Sequence, residues 1–349
     1  MKKQKPIIIL AIESSCDESA AAIITADSKT GRLRVLSNIV SSQIEIHKKY
    51  GGVVPEIAAR EHVLNILPVI NEALTKAKAT PENLTAIAVT KGPGLITSLI
   101  TGVETARALA FAWKKPIIEV NHIEGHIYSN FINPKTPIKF PAVVLTVSGG
   151  HTILLIMEKS GKIKIIGETR DDAAGEAYDK AAKMMGLGYP GGPIVSGLAA
   201  EYDKKLTNLK LPRPMLNSPD FDFSFSGLKT ALLYELKKDA NWKKRTREYC
   251  FAYQQAILDV LIHKTIKAAD KFQAKTIMVS GGVSANNELR AQMAEAIATK
   301  LNNVNFLIPE KIYTTDNAAM IAAAAFYKLK KGEQINFKKL RVNSSLKLK

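Results

Sequence analysis

Ile7-Ile8-Ile9-Leu10-Ala11-Ile12-Glu13-Ser14-Ser15-Cys16-Asp17-Glu18-Ser19 is an unbroken apolar run that breaks into an acidic, hydroxyl-rich turn. A continuous apolar run without alternation is the pattern of a central strand covered on both faces. A second apolar run, Ala20 to Thr25, follows at once, so the pair reads as a hairpin, with Arg32 to Ser41 as a third strand. The same order returns in the second half of the chain. Ala142 to Val147 is apolar, Ser148-Gly149-Gly150-His151 is a turn, Thr152 to Met157 is a second strand and Lys162 to Gly167 a third. Strand–polar turn–strand–turn–strand at the head of both halves predicts an internal duplication. The expected fold class is α/β, with two similar domains facing each other across a central cleft.

Between the two heads the pattern is that of α/β crossovers. Gly51-Gly52-Val53-Val54-Pro55-Glu56 is a turn before a helix to about Lys78. Its apolar stripe is Val63, Ile66, Leu67, Ile70 and Leu74, with Leu64 and Val69 off it; Pro68 should kink it, and the second apolar face suggests a partner. Ala86 to Thr90 is a strand, Lys91-Gly92-Pro93-Gly94 a turn, Thr97 to Trp113 a helix, and Pro116 to Val120 a strand. Residues 133–141 carry three prolines and read as a connector. Further on, Asp171, Asp172, Glu176 and Asp179 enter a helix, and Tyr189 to Pro193 is a rigid glycine turn before another helix. Asn217 to Lys229 has little periodicity and reads as a loop over the cleft. Thr276 to Val279 is a strand, and Ser280-Gly281-Gly282-Val283-Ser284-Ala285-Asn286 leads into a helix near Glu288. Glycine turns after strands let backbone N–H groups close on phosphate oxygens.

The chain has 349 residues, enough for two domains with cores, and 46% of them are apolar. No apolar run reaches the roughly eighteen residues that a membrane span requires. The start, Met-Lys-Lys-Gln-Lys-Pro, does not read as a signal peptide. Two cysteines, Cys16 and Cys250, make no disulfide framework, so a reducing cytosol is the default. A net charge of +17 favours a polyanionic partner, nucleic acid ahead of an anionic membrane; a lysine-biased genome is the alternative. The densest basic stretches are Lys237 to Arg247, which includes Trp242, and the tail from Lys328 to Lys349, expected to be an exposed arm able to touch phosphates.

Two of only six histidines fall in Asn121-His122-Ile123-Glu124-Gly125-His126. At i and i+4 on a helix they share one face and can hold one ion; the alternative is two polar histidines at an ordinary helix start. The order H-x-E-x-H is not the zinc-protease signature, because Glu124 lies about 200° around the helix from His122 at roughly 100° per residue. A third ligand must come from elsewhere, and Asp316 in Thr314-Thr315-Asp316-Asn317 is the best-placed candidate, although it also suits a helix N-cap. The carboxylates Asp17 and Glu18 are either a solvated turn or a pair that handles a substrate hydroxyl or amine.

Together these motifs resemble one family. They are Ile-Glu-Ser-Ser-Cys-Asp-Glu from Ile12, Gly-Gly-Val-Val-Pro-Glu from Gly51, Lys-Gly-Pro-Gly from Lys91, His-Ile-Glu-Gly-His from His122, Val-Ser-Gly-Gly-His-Thr from Val147, Asp-Asp-Ala-Ala-Gly-Glu-Ala from Asp171, Tyr-Pro-Gly-Gly-Pro from Tyr189, Phe-Ser-Phe-Ser-Gly-Leu-Lys from Phe223, Gly-Gly-Val-Ser-Ala-Asn from Gly281 and Thr-Asp-Asn-Ala-Ala-Met from Thr315. The chain is similar over residues 7 to about 325 to the bacterial tRNA N6-adenosine threonylcarbamoyltransferases (the TsaD family). The resemblance implies the actin/Hsp70/sugar-kinase (ASKHA) fold, with an N-terminal metal-holding domain of residues 1–138 plus 318–349 and a nucleotide-holding domain of residues 139–317. It implies a divalent metal on His122, His126 and Asp316, iron ahead of zinc, and a threonylcarbamoyl-AMP site lined by Thr146, Val147, Ser148, Gly149, Gly150, Asp179, Gly192 and Asn286. It implies a catalytic or tRNA-positioning role for Asp17 and Glu18. The implied reaction, in the cytoplasm and without a membrane, moves the threonylcarbamoyl group to N6 of adenosine 37 in tRNAs reading ANN codons, with a TsaB-like paralogue and a TsaE-like ATPase as partners. An actin-like small-molecule kinase, which would phosphorylate without tRNA, and a non-catalytic scaffold are the competing readings.

Overall fold

β1 (Ile7–Glu13), β2 (Glu18–Ala26) and β3 (Leu33–Ser42) form an antiparallel meander. Ile9 to Ile12 are fully buried, as an apolar run without alternation requires. After the short α1 (Ile44–His47) come α2 (Pro55–Ala77), β4 (Ala86–Gly92), α3 (Ile96–Ala112), β5 (Ile117–Asn121) and α4 (His122–Ser129). β4 pairs with β1 in parallel and β5 with β4 in parallel, so the sheet order is β3-β2-β1-β4-β5. The second half has β6 (Ala142–Val147), β7 (Thr152–Met157), β8 (Ile163–Glu168), α5 (Ala174–Met184), α6 (Gly191–Ala200), α7 (Ser226–Lys238), α8 (Thr246–Lys271), β9 (Thr276–Ser280), α9 (Asn287–Lys300) and β10 (Asn305–Leu307). Its sheet order is β10-β9-β6-β7-β8, with β6–β7 and β7–β8 antiparallel and β6–β9 and β9–β10 parallel. Strand for strand this is the first sheet again, so the duplication read from the two apolar heads is present in the topology. The chain then closes with α10 (Ala318–Lys330).

The structure, a computed structural model, describes residues 6–27, 30–203 and 207–348. The lysine-rich start at residues 1–5 and the terminal Lys349 lie outside the described residues. The chain divides into one unit of Met1–Pro134 with Pro309–Lys349 and a second of Lys135–Ile308. The first has a core of Leu10, Ile12, Ile66, Val69, Ile87, Val103 and their neighbours. The second is built around α8, which is buried along most of its length. Among the described residues no helix is long and apolar enough to cross a membrane.

Four local expectations are corrected. α2 buries Ala58, His62, Ile66, Val69, Ile70 and Ala73, and it leaves Val63, Leu64 and Leu67 65%, 67% and 57% exposed. Its core face is therefore turned from the expected stripe, because the buried His62 holds the acidic turn through Ser19 Oγ (2.7 Å) and the Cys16 carbonyl (2.9 Å). The segment Asn217 to Lys229 is not a covering loop. Phe221, Phe223 and Phe225 are buried in the second unit's core, Phe223 pairs with Thr169, and α7 starts at Ser226. The glycines of Tyr189 to Pro193 do not precede a helix but begin it, at Gly191. The tail is no free arm: Leu340 is fully buried, Arg107 Nη2 donates to its carbonyl (2.6 Å), Ile335 pairs with Ile117, and Asn343 N donates to Lys91 O (2.9 Å). One apolar residue inside a basic stretch, plus backbone pairing to distant strands, ties the tail down.

Candidate functional site

β5 delivers α4, and the Asn121 side chain caps it by accepting from Ile123 N (2.8 Å) and Glu124 N (3.4 Å). His122 and His126 then share one face, with ring centroids 4.7 Å apart. α10 packs closely against α4 across Gly125, where a Cβ would lie 2.7 Å from Ile321 Cδ1. That packing brings the residue before the α10 cap to the histidines: Asp316 Oδ1 lies 3.4 Å from His122 Nε2 and 3.2 Å from His126 Nε2. Asn317, not Asp316, caps α10, accepting from Met320 N at 3.1 Å, so Asp316 is spared that duty. One ligand atom from each of the three residues lies within 4.8 Å of the others.

The donor set fits a metal ion. Bonds of roughly 2.1 Å at a near-tetrahedral angle put donors about 3.4 Å apart, which is the His–Asp spacing here. His126 is fully buried, and neither of its ring nitrogens has a hydrogen-bond partner; Nε2 stands near Asp316 but out of hydrogen-bond alignment. Burial lowers the His126 pKa and keeps its lone pair available. Burial works against the charged form of His122 too, but Asp316 and Glu13 outweigh it and push its pKa up to about 9. Two imidazoles and one carboxylate suit first-row transition ions such as iron(II) or zinc better than calcium or magnesium.

Behind His122 stands Glu13, at the end of β1 and fully buried. Its Oε2 is 3.2 Å from His122 Nδ1, Thr90 Oγ1 donates to Oε2 (2.6 Å), and Ser15 N donates to Oε1 (2.6 Å). Burial alone would raise this carboxyl, but the His122 charge and the hydrogen bonds from His122 and Thr90 hold it below the usual range. Glu13, Thr90 and His62 were missed in the sequence as site residues. The available signal was a glutamate closing an otherwise apolar central strand, where an unpaired charge is not tolerated.

In the same unit, Asp17 is buried and Glu18 accepts from Ser42 Oγ (3.3 Å). Burial pushes the Glu18 carboxyl well above its usual value, and the neighbouring Asp17 and then Asp316 add to the shift. The expected substrate residues all lie in the second unit. Thr146 to Gly150 run off the end of β6, and beside them β9 ends in Gly281-Gly282, the two strands being parallel with Thr146 opposite Ser280. Gly281 has φ +87° and packs against the Val147 backbone, where no side chain fits. Gly149 and Gly150 face open space, as does Gly192 in the first turn of α6. α5 is tied to the turn by Gly175 N to Ser148 O (3.2 Å) and Glu176 N to Gly149 O (3.1 Å), and Asp179 Oδ1 accepts from Gly191 N (2.7 Å) at the start of α6. Asn286 caps α9 through Glu288 N (2.9 Å) and Leu289 N (3.2 Å) and donates to Gln254 (2.7 Å), so its side chain is already engaged.

The family model of TsaD, tRNA N6-adenosine threonylcarbamoyltransferase, matches residues 34–323. The chain belongs to the TsaD family. Proteins named tRNA N6-adenosine threonylcarbamoyltransferase from Anaeromyxobacter sp. (strain Fw109-5) and Bacillus subtilis (strain 168) are both 47% identical to this TsaD-family chain. The alignments span 93% of this chain and 96% of the first relative, and 95% and 93% for the second. Among solved structures, T. kodakarensis HypF (TM-score 0.61, 14% identity) matches over 95% of this chain and 50% of its own. Component A of Acidaminococcus fermentans (R)-2-hydroxyglutaryl-CoA dehydratase (TM-score 0.52, 14% identity) matches over 94% and 99%. These likenesses speak to the fold alone, which is the duplicated ASKHA fold.

Proposed function

We propose that this TsaD-family transferase of tRNA modification takes the threonylcarbamoyl group from threonylcarbamoyl-AMP and attaches it to N6 of adenosine 37 in tRNAs reading ANN codons. The observation that carries the reading is the His122/His126/Asp316 triad, with ion-ready spacing, in a chain of this family. In this reading the unit of residues 1–134 with 309–349, which holds His122, His126 and Asp316 together, carries the metal, and residues 135–308 hold the nucleotide end; the boundary lies before Asp316, not after it as expected from the sequence. A bound divalent ion, iron ahead of zinc, would orient the donor and polarise its carbonyl.

The donor is a mixed anhydride, so no covalent enzyme nucleophile is required. Backbone N–H groups of Ser148, Gly149 and Gly150 suit the adenylate phosphate. Thr146, Val147, Asp179, Gly192 and Asn286 would shape its surroundings, Asn286 through the turn it caps. The N6 amine attacks the carbamoyl carbon, a C–N bond forms, the bond from that carbon to the phosphate oxygen breaks, and AMP leaves with its electron pair. The N6 proton goes to a carboxylate. A protonated Glu18 donating to Asp17 fits the raised Glu18 pKa and leaves Asp17 as the acceptor. Adenine N6 is a poor nucleophile, so positioning supplies much of the acceleration.

The exposed Val63, Leu64 and Leu67 of α2 and Ile96 and Ile100 of α3 support docking of a TsaB-like paralogue, with a TsaE-like ATPase as the third component in the cytoplasm. The test is transfer from threonylcarbamoyl-AMP to a tRNA reading ANN codons, with the paralogue present and the modified base located by mass spectrometry. Modification mapped elsewhere than position 37, or none at all from this donor, would overturn the proposal.

A further inference from the structure

The two metal-facing histidines are backed differently. His126 has no hydrogen-bond partner, whereas His122 Nδ1 faces both Glu13 Oε2 (3.2 Å) and Ser15 Oγ (3.1 Å). Among the described residues no lysine or arginine pairs with the buried Glu13; its ionic partner is His122. A carboxylate held by Ser15 N–H and Thr90 O–H can only accept, so the proton between it and the ring must sit on Nδ1. A ring that keeps its proton on Nδ1 offers the lone pair of Nε2, the nitrogen that faces Asp316. Outer carboxylates that fix a ligating imidazole in this way are a general feature of metal centres.

We propose that Glu13 is the positioning residue of the metal centre: it accepts the Nδ1–H of His122 and so presents Nε2 to the ion. The proposal rests on the metal reading given above. It explains why β1 ends in a buried acid, and why Thr90, from the neighbouring strand β4, turns its hydroxyl onto the same oxygen. Glu13→Gln is the informative change because it keeps the size and alters only the donor pattern. Ser15 N–H can only donate, so it keeps the amide oxygen at the Oε1 position. The amide NH₂ then takes the Oε2 position and donates toward His122 Nδ1, so the acceptor that favoured an Nδ1 proton is gone and only Ser15 Oγ, 3.1 Å away, is left to take one. The ring proton is then favoured on Nε2, where it competes with the metal.

The test uses the full chain, zinc as the probe ion and competition with a chromophoric chelator. The parent should bind one zinc, and Glu13→Gln should bind it about 10–100-fold more weakly, the usual effect of losing such a partner, with the far-UV circular dichroism spectrum of the folded chain unchanged. Equal affinity in Glu13→Gln would overturn the positioning role and leave the metal reading standing. A parent that binds no zinc, or binds it undiminished in Asp316→Ala, would overturn the metal reading itself. A second measurement needs no variant at Glu13: in the zinc-loaded, ¹⁵N-histidine-labelled parent the His122 proton should sit on Nδ1. The resonance is assigned by its absence in His122→Gln, and a proton found on Nε2 would reject the proposal even if Glu13→Gln does not fold.

Discussion

Leu340→Ala separates two roles that the basic tail could have. Leu340 is fully buried in the core of the first unit, flanked by the partly buried Ile335, Phe337 and Val342 and with its carbonyl held by Arg107. Removing the side chain loses its transfer free energy and leaves a cavity, at a cost of about 2–5 kcal/mol. For a domain of this size each kcal/mol moves the melting temperature by about 2–4 °C, so a drop of about 4–20 °C is expected. The assay is thermal unfolding of the full chain by circular dichroism. A melting temperature within about 2 °C of the parent would refute the strap, since a change of that size is what an exposed substitution gives. The companion change is Lys338→Gln with Lys339→Gln. Both lysines are exposed, so stability should move by no more than about 1 kcal/mol in all. If they meet tRNA phosphates, the salt slope of tRNA binding should flatten by roughly 1.5, at about 0.7–0.9 per contact. An unchanged slope would place the RNA contacts elsewhere. Cutting the tail off after Tyr327 answers neither question, because it removes the strap and the lysines together.

His122→Ala, His126→Ala and Asp316→Ala should each lose bound metal and most transfer activity while remaining folded; full occupancy in Asp316→Ala by elemental analysis would sink the ligand assignment. Because metal-free His122 titrates near 9 and only its neutral form binds, uptake should release one proton, and the apparent metal affinity should rise about tenfold per pH unit up to about pH 9. A pH-independent affinity between 6.5 and 8.5, measured by competition titration at roughly those values, would contradict that assignment. Leu64→Asp should weaken association with a TsaB-like paralogue in gel filtration at unchanged stability. Val69→Asp, by contrast, should unfold the first unit, because Val69 is core; unaltered complex formation by Leu64→Asp would move the interface off α2.

The duplication and its central strands could be read in advance because Ile7 to Ile12 and Ala142 to Val147 are continuous apolar runs, and a doubly covered strand needs nothing else. The histidine pair was equally legible, since i,i+4 spacing on a helix is a geometric statement. Asp316 was legible only as a candidate: Asn317 takes the cap, a choice between two adjacent capping residues that composition does not decide. The face of α2 was misread because hydropathy treats His62 as polar, while the fold buries it on hydrogen bonds to Ser19 and Cys16. In the segment before α7 a period of two was present in Phe221, Phe223 and Phe225, but a run that short is overshadowed by the glycine, serine and aspartate around it. The tail failed for the opposite reason: its composition was read correctly, yet its position depends on partners more than two hundred residues away, such as Arg107 for Leu340.

Two sheets of one topology differ at the ends of their equivalent first strands, β1 and β6. In the first unit β1 ends in Glu13, with Asp17 and Glu18 in the turn that follows, and β5 leads through Asn121 into His122. In the second, β6 leads into Gly149-Gly150, which offer backbone N–H groups, and β9 leads into Gly281-Gly282, as its counterpart β4 leads into Gly92-Pro93-Gly94. Carboxylates and imidazoles suit cations and protons, and bare N–H groups suit anions. The divergence is confined to loops because the strands behind them are fixed by burial on both faces. A charge placed two residues earlier, at Ala11 or Leu145, would stand in a dry core without a partner.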